Sequence, residues 1–370
     1  MNLIYLLAIL GLFAANLAAA AIPTEFPDAS NHSCTHLACF DPINHGLNHG
    51  ITNSTLQPGK ANLLLTNEEG WAEKRIRVFY EWLRDYGHDV IISSPPFHNP
   101  STNRARPPRK LERTECQYKS CPGEKGKKTG FNATDPRLNW VNAEPATGVK
   151  YGVEEIWPRF QGNGSVGDID MVLVGPAVGA NRAFEHRHSG TTGAAVHAAK
   201  KLGIPSIAFA GWNHKRRAWN RESDPSQEIY ASMALNLTNR ILANGKPYLP
   251  PNVILNVNFP RIDKRHCSHL NFKYVLTAPM LPGILPKKDI PICRSKRLPA
   301  ECAVVRRQTF DTCYVSISPM DAKSKGVAKL KEQREVLKAL EGTLSCYPYQ
   351  SEWKEFWTSV GCALRFWEWK

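Results

Sequence analysis

Runs of apolar residues alternate with segments of helical spacing along most of this chain. Residues 62–66 (NLLLT) form a short and nearly wholly apolar run, which is typical of a strand buried on both faces of a sheet. Apolar positions at helical spacing follow over 72–86, and a second apolar run lies at 90–92. Strand, helix and strand in this order predict a βαβ unit, whose crossover is right-handed.

The same alternation resumes further along the chain and predicts the rest of the domain. The predicted elements are strands at 169–174, 204–209, 253–257 and 313–318, and helices at 190–202, 226–243 and 326–341. Apolar strands that alternate with helices favour a parallel arrangement in which both sheet faces are covered. The pattern therefore predicts an α/β, Rossmann-like fold with a mostly parallel sheet and helices on both faces.

Two regions depart from this alternation. Residues 95–150 are rich in proline, glycine and charge, and we interpret about 103–150 as a basic, cysteine-containing insertion. Residues 321–370 predict a C-terminal extension, a helix followed by an aromatic tail with Trp353, Phe356, Trp357, Phe366, Trp367 and Trp369. Packing of the tail over the domain is the simpler interpretation, and contact with a membrane surface is the alternative.

The N-terminal segment has the pattern of a secretory signal peptide. Residues 3–20 are apolar and end in a run of alanines that suits cleavage. We therefore predict a signal peptide over 1–20, an arm over 21–59 and a secreted, extracellular protein. A transmembrane anchor is the alternative, but no second long apolar run follows that would predict a stable membrane span.

The composition agrees with a secreted globular protein. Of 370 residues, 42% are hydrophobic and 22% charged, which excludes a wholly disordered chain. A chain of this length does not need disulfides to fold, so its 10 cysteines suggest an oxidising compartment. Cys34 with Cys39, and Cys116 with Cys121, are spaced for local loops, and the other pairings stay open. The glycosylation sequons at Asn31, Asn53, Asn132, Asn163 and Asn236 predict glycan-bearing surface loops.

The formal net charge of +14 is partly local. Basic residues concentrate in the insertion and again over 261–297. A solvated basic surface is the simpler interpretation, and non-specific attraction of polyanions is the alternative. No motif of specific nucleic-acid recognition accompanies these charges.

Candidate chemistry follows the ends of the predicted strands, because open parallel sheets bind ligands beyond the carboxyl ends of their strands. Glu68 and Glu69 are adjacent carboxylates after a buried strand, and they would repel each other unless hydrated, hydrogen-bonded or bridged by a hard divalent cation. A solvated acidic turn is the alternative. The small residues over 174–181 form a second turn that a ligand can approach, although this signal is weak.

A third turn directly precedes the helix predicted at 190–202. Its residues Ser189, Gly190 and Thr191 offer free amides and hydroxyls at a helix start, which is an arrangement that binds phosphate. Simple N-capping by Ser189 is the alternative, and the two roles are compatible. The three turns together predict a metal-assisted phosphate site.

Seven sequence motifs carry a family resemblance at this point. They are LLLTNEEGWA, SPPFHNPS, IDMVLVGPAVGAN, HSGTTGAA, GIPSIAFAG, LNVNFP and CYVSISP, in this order. The chain resembles the SurE-like (survival protein) phosphatase/nucleotidase family over about residues 60–320. It is most similar to the fungal secreted acid-phosphatase-like branch, which has a similar insertion around ECQYKSCP and FNATDPRLNWVN.

The resemblance implies a phosphomonoesterase, of the acid phosphatase or 5′-nucleotidase type, that acts on nucleoside monophosphates or related phosphate esters. It implies one divalent cation, Mg²⁺ or Mn²⁺, and a homo-oligomer. The implied site residues are Glu68 and Glu69 for catalysis, Glu68, Glu69 and Ser101 for the metal, and Ser189, Gly190, Thr191, Gly179 and Asn181 for phosphate.

The chain departs from the family pattern at the metal. Glu68 and Glu69 stand where the family has two Asp residues, and each carboxylate is thereby displaced by roughly 1.5 Å, one C–C bond. Ala177 stands where the family has an Asn ligand, and it offers no side-chain oxygen. These departures support an alternative hypothesis, a catalytically weakened relative that acts as a secreted anion-binding or interaction protein.

Overall fold

The predicted apolar runs pair into one sheet, which has nine strands in the described part of the chain. The strands are β1 (Asn62–Thr66), β2 (Asp89–Ser94), β3 (Thr129–Phe131), β4 (Leu138–Val141), β5 (Met171–Val178), β6 (Ser206–Gly211), β7 (Val253–Phe259), β8 (Phe272–Leu276) and β9 (Cys313–Asp321). Their order across the sheet is β3-β4-β2-β1-β5-β6-β7-β9-β8. Strands β4, β2, β1, β5, β6 and β7 are mutually parallel, and the antiparallel pairs are β3 with β4 and β7 with β9.

This computed structural model describes residues 59–100, 105–113, 115–162, 167–182, 185–263, 265–267, 271–279, 289–307 and 312–348. All of them fall within one compact unit, residues 42–370. Several predicted features lie outside the described residues. They are the signal peptide, the N-terminal arm up to residue 58, Ser101, Cys34, Cys39, Cys362, the aromatic tail and the sequons at Asn31, Asn53 and Asn163.

Helices cover both faces of the sheet. They are α1 (Lys74–Tyr86), α2 (Pro145–Tyr151), α3 (Gly190–His197), α4 (Pro225–Leu242), α5 (Glu301–Arg306) and α6 (Leu330–Ala339). Beyond its last α-helical residue, α3 continues as a wider turn over Ala198–Leu202 and ends at Gly203, as predicted. None of the helices in the described ranges is long and apolar enough to cross a bilayer.

The alternation of side chains along β1 explains the two layers. Leu63 and Leu65 belong to the hydrophobic core that includes Ile76 of α1 and Ile229 of α4. Leu64, between them, belongs to the core on the other face, with residues of α2 and α3. Successive residues of a strand face opposite sides of the sheet. The α/β fold with helices on both faces is therefore confirmed.

The predicted insertion is too long at its C-terminal end. Strand β4 pairs in parallel with β2, and α2 packs on the sheet, so residues 138–150 belong to the α/β domain itself. Strand β4 is not evident from the sequence, because the four-residue segment LNWV lies within a stretch rich in turns. The short elements β3, β8 and α5 were likewise not predicted.

The second predicted turn, over 174–181, is also corrected. Strand β5 does not end at Val174 but runs on to Val178, with a register shift against β6 between Val174 and Ala177. Glycine is required at the shift, because Gly175 has φ 99° and a Cβ there would lie 2.3 Å from the Phe209 carbonyl oxygen. The irregular strand therefore replaces the first half of the predicted loop.

The described cysteines form disulfides, and none among them is free. The predicted loop Cys116–Cys121 is present, and the pairs Cys267–Cys313 and Cys293–Cys346 join distant segments. Of the described sequons, Asn132 follows β3 in a turn, where its side chain accepts a hydrogen bond from the Thr134 amide. Asn236 lies within α4 rather than in the surface loop that we predicted for a glycan.

Candidate functional site

The acidic turn, Asn67–Gly70, is held rigidly at the carboxyl end of β1. The Asn67 amide donates to Ser94 Oγ at 2.9 Å, and Ser94 Oγ lies 2.9 Å from the Asn67 carbonyl oxygen. The turn closes at Gly70, which has φ 103°, and a Cβ there would lie 2.7 Å from Gln117 Oε1 and 3.2 Å from the Phe97 carbonyl carbon. The turn therefore fixes the directions of two consecutive carboxylates.

The Glu68 carboxylate lies at the N-terminus of α3. Its Oε2 accepts a hydrogen bond from the Thr191 amide at 3.1 Å and lies 3.5 Å from Ser189 Oγ. Burial raises the pKa of Glu68, and these hydrogen bonds oppose that shift. The structure thus brings the acidic turn and the predicted phosphate-binding turn together, but a carboxylate of the chain itself occupies the helix N-terminus.

Glu69 points to the neighbouring strand instead. Its Oε1 accepts a hydrogen bond from the Val178 amide at 2.7 Å, at the end of β5. Its Oε2 is buried and has no hydrogen-bond partner among the described residues. Burial, with a smaller contribution from the nearby charge of Glu68, raises the pKa of Glu69 to about 8. A buried carboxylate with an unpaired oxygen is stabilised when it binds a proton or a cation.

Arg75 supplies a fixed positive charge beside this carboxylate, and the sequence analysis missed it. The guanidinium is 1% exposed and donates to the carbonyl oxygens of Ala177 and Asn213, both at 2.6 Å. Its charge lowers the pKa of Glu69 against the larger effect of burial. The sequence signal for a buried arginine was its position directly before Ile76, on the apolar side of α1.

The other predicted site residues are placed differently. The Gly179 amide donates to the Gly211 carbonyl oxygen at 2.9 Å, so it is committed to the strand ends. The Asn181 amide donates to Asn258 Oδ1 at 2.6 Å, and Asn181 Nδ2 lies 2.5 Å from Thr192 Oγ1. Asn181 therefore braces the first turn of α3 through the Thr192 side chain, and its donors are used within the protein.

A polar network continues from Asn181 into the sheet. We call it the asparagine cluster: Asn181, Asn256, Asn258, Glu301 and Ser318. Glu301 is its centre, because Oε2 accepts from Asn256 Nδ2 at 2.9 Å, from Ser318 Oγ at 3.0 Å and, more weakly, from Asn258 Nδ2 at 3.5 Å. Both asparagines of β7 also donate to the Asn181 carbonyl oxygen. The cluster links α5, β7 and β9 to the loop that leads to α3.

The acidic turn fits a divalent cation through its two carboxylates. An unpaired buried oxygen on Glu69 beside the half-buried carboxylate of Glu68 is an arrangement that a cation relieves. The described part of the chain contains no group of three or more His, Cys, Asp or Glu residues with metal-ligand geometry. Ser101, the third predicted ligand, lies outside the described residues.

Comparisons with known proteins agree with this architecture. The family described as Survival protein SurE matches residues 63–278, more than half of the chain. An acid phosphatase of Yarrowia lipolytica is 30% identical over 237 residues, which cover 61% of this chain and 64% of that protein, less than two thirds of its length. A 5′-nucleotidase SurE of Caldanaerobacter subterraneus is 26% identical over 206 residues, 56% of this chain and 68% of that protein.

The SurE protein from Aquifex aeolicus superposes with a TM-score of 0.47 and 20% identity, covering 75% of this chain and 98% of that chain.

Proposed function

Because the chain belongs to the SurE (survival protein) family, we propose that it is a secreted phosphomonoesterase of the acid phosphatase or 5′-nucleotidase type. Its substrates are nucleoside monophosphates or related phosphate esters. One observation carries the proposal: the carboxylates of Glu68 and Glu69 lie at the N-terminus of α3 and the end of β5, and one buried oxygen of Glu69 is unpaired.

Glu68 and Glu69 are the residues that would hold a divalent cation. A cation bound there supplies Lewis-acid polarisation of a phosphoryl oxygen and lowers the pKa of a bound water. Hard cations such as Mg²⁺ and Mn²⁺ match carboxylate oxygens. Ala177 contributes no side-chain oxygen, and its carbonyl oxygen accepts from Arg75.

The residues around α3 would bind the phosphate. The Thr191 amide and the Ser189 hydroxyl are donors that can stabilise the charge that develops on phosphoryl oxygens. In the structure the Glu68 carboxylate uses these same donors. Phosphate and Glu68 therefore compete for one set of hydrogen bonds, and Glu68 must leave the helix N-terminus before a substrate can take its place.

The test is a phosphomonoesterase assay with and without added Mg²⁺ or Mn²⁺. We expect cation-stimulated release of phosphate from adenosine 5′-monophosphate and a loss of about 100-fold or more in Glu69→Gln, in line with typical single-group effects on catalysis. The cation should also raise the thermal midpoint of the native chain, because it binds only the folded state, but not that of the variant.

Glu154→Gln is the matched control for this assay. Glu154 is exposed and pairs loosely with Lys150 at 3.8 Å, so its loss should leave turnover and the cation effect unchanged. Equal turnover by Glu69→Gln and the native chain would refute the proposed role of the acidic turn.

The contact between Glu68 and α3 favours a second candidate function. A helix N-terminus already bound to a carboxylate, together with Ala177 at the family's Asn position, suits a weakened relative that binds anions without hydrolysing them. Retained binding of adenosine 5′-monophosphate with no phosphate release under any cation would favour this candidate.

A further inference from the structure

A basic pocket lies directly beside the acidic turn. Its volume is about 290 Å³, and its wall includes Phe97, Asn99, Arg109, Lys110, Arg113 and Asn142. The Asn99 amide donates to the Glu68 carbonyl oxygen at 2.7 Å, and the Phe97 backbone packs against Gly70. Phe97 and Asn99 therefore line the pocket and also contact the backbone of the acidic turn.

The charge of the pocket is positive. Its wall carries three cationic side chains, Arg109, Lys110 and Arg113, and one carboxylate, Glu112. The Arg113 guanidinium lies over the Phe97 ring, 5.2 Å from its centre, and this contact orients an otherwise exposed side chain. The Arg109 guanidinium lies 3.8 Å from the Glu144 carboxylate, which is too far for a hydrogen bond. Its N–H donors can therefore still bind an anion that comes closer.

The wall that bears these arginines is fixed by backbone hydrogen bonds. The Arg109 amide donates to the Asn142 carbonyl oxygen at 3.0 Å, and Asn142 Nδ2 donates back to the Arg109 carbonyl oxygen at 3.0 Å. Two residues on, Leu111 exchanges backbone hydrogen bonds with Lys127 and Gly126 at 2.7 and 2.8 Å. The cationic side chains therefore project from a braced segment, which reduces the entropy cost of binding.

We propose that the basic pocket binds a second anionic group of the substrate. The favoured esters are those whose leaving group carries a further phosphate, such as a nucleoside 3′,5′-bisphosphate. This inference rests on the proposed function, since it names the substrate class for the same site. The pocket is concave and at the small end of ligand pockets, whereas single-stranded nucleic acid follows an extended groove with exposed stacking rings.

The reaction itself is an ordinary hydrolysis. The water oxygen forms a new bond to the 5′-phosphorus, the ester P–O bond breaks, and the leaving 5′-oxygen takes a proton. The products are inorganic phosphate and a nucleoside 3′-phosphate, whose remaining phosphate stays with the leaving group. The second phosphate thus contributes binding throughout the step without changing its chemistry.

The kinetic test compares adenosine 3′,5′-bisphosphate with adenosine 5′-monophosphate. We expect the native chain to favour the bisphosphate by about tenfold in kcat/KM for 5′-phosphate release, as for one or two well-placed ion pairs. Arg109→Gln/Arg113→Gln should remove this preference and leave the monophosphate unaffected. Equal preference in the native chain and the double variant would overturn the proposal.

Arg106→Gln is the matched control. Arg106 also lies 3.8 Å from the Glu144 carboxylate, but it is not part of the pocket wall. The control variant should keep the tenfold preference. A loss of preference in Arg106→Gln as large as in the double variant would show a general charge effect and would refute a specific pocket.

A binding measurement separates this proposal from the proposed function. Calorimetric titration with the bisphosphate should give an affinity about tenfold weaker in the double variant than in Arg106→Gln, whether or not the chain turns over any ester. If that difference appears without turnover, the pocket stands and the phosphatase proposal fails. An arginine-dependent affinity that is higher for a short oligonucleotide would instead identify a nucleic-acid surface and overturn the pocket.

Discussion

Two glutamates of this chain are buried to the same extent in opposite surroundings. Glu69 of the acidic turn and Glu301 of the asparagine cluster are each 1% exposed. One oxygen of Glu301 accepts several hydrogen bonds from β7 and β9, whereas one oxygen of Glu69 has none within the described residues. Both regions also contact the first turn of α3, through Glu68 and Asn181.

The difference shows how to separate a structural carboxylate from a functional one. A buried polar group normally finds hydrogen-bond partners, and a buried carboxylate oxygen without them is open to a proton or a cation. In the asparagine cluster one oxygen of Glu301 accepts from three protein donors, so this carboxylate supports the fold. The acidic turn leaves its carboxylate under-satisfied, so it is suited to a ligand.

The largest expected effect is on the cluster. Glu301→Ala removes the acceptor for Asn256 Nδ2 and Ser318 Oγ and leaves these buried donors unpaired. We expect the free energy of unfolding to fall by about 3 kcal/mol or more, measured by denaturant titration. Glu301→Gln keeps one acceptor oxygen and should lose about half as much. Equal stability of Glu301→Ala and the native chain would show that the asparagine cluster does not stabilise the fold.

The sequence was sufficient for the architecture because its strongest signal is periodicity. The run 62–66 became β1 with the predicted bounds, and the helices at 226–243 and 326–341 differ from α4 and α6 mainly at their ends. These elements owe their position to hydrophobic burial, which leaves a repeating trace in the sequence. Elements as short as β4 leave no such trace.

The site was only partly predictable, because its decisive contacts join residues that are far apart in the chain. The sequence indicated that Glu68 and Ser189 converge, and the structure places them in contact. It could not indicate that the longer Glu side chain reaches the Thr191 amide, nor that Arg75 and Glu301 lie beside or beneath the site. Side-chain direction and the pairing of buried polar groups depend on packing, which local pattern does not encode.

The second prediction concerns the pH dependence of stability. Burial and, to a smaller extent, the charge of Glu68 raise the pKa of Glu69 to about 8 in the folded chain, above the unfolded value of about 4.5. Between these values the folded state holds the proton more tightly, so the stabilisation is complete below about pH 4.5 and is lost as pH rises towards 8. Relative to Glu69→Gln, the native chain should therefore lose on the order of 1–3 kcal/mol from pH 5 to pH 8.

Denaturant titrations at the two pH values, in buffer with a chelator, measure this difference. Glu154→Gln, at an exposed position, should show the same pH dependence as the native chain. Parallel stability profiles of Glu69→Gln and the native chain would mean that Glu69 ionises normally, and the contrast with the cluster would disappear.

The smallest expected effect is at the start of α3, where two acceptors share a donor. Ser189 caps this helix by accepting from the Thr191 and Thr192 amides at 3.1 and 3.4 Å, while Glu68 accepts from the same Thr191 amide. Loss of an N-cap usually costs about 1 kcal/mol. Because Glu68 still satisfies one donor, Ser189→Ala should cost only about half of that, measured as the free energy of unfolding.

The N-cap of α4 provides the comparison, since Asp224 accepts from the Ser226 amide and no second carboxylate of the described residues accepts from that donor. Asp224→Ala should therefore show the full cap loss of about 1 kcal/mol. In a Glu68→Ala background the cost of Ser189→Ala should rise to the same value, because no carboxylate then replaces the lost hydroxyl. If the cost of Ser189→Ala is the same with and without Glu68, the carboxylate does not stabilise the helix N-terminus, and the competition between Glu68 and a bound phosphate is refuted.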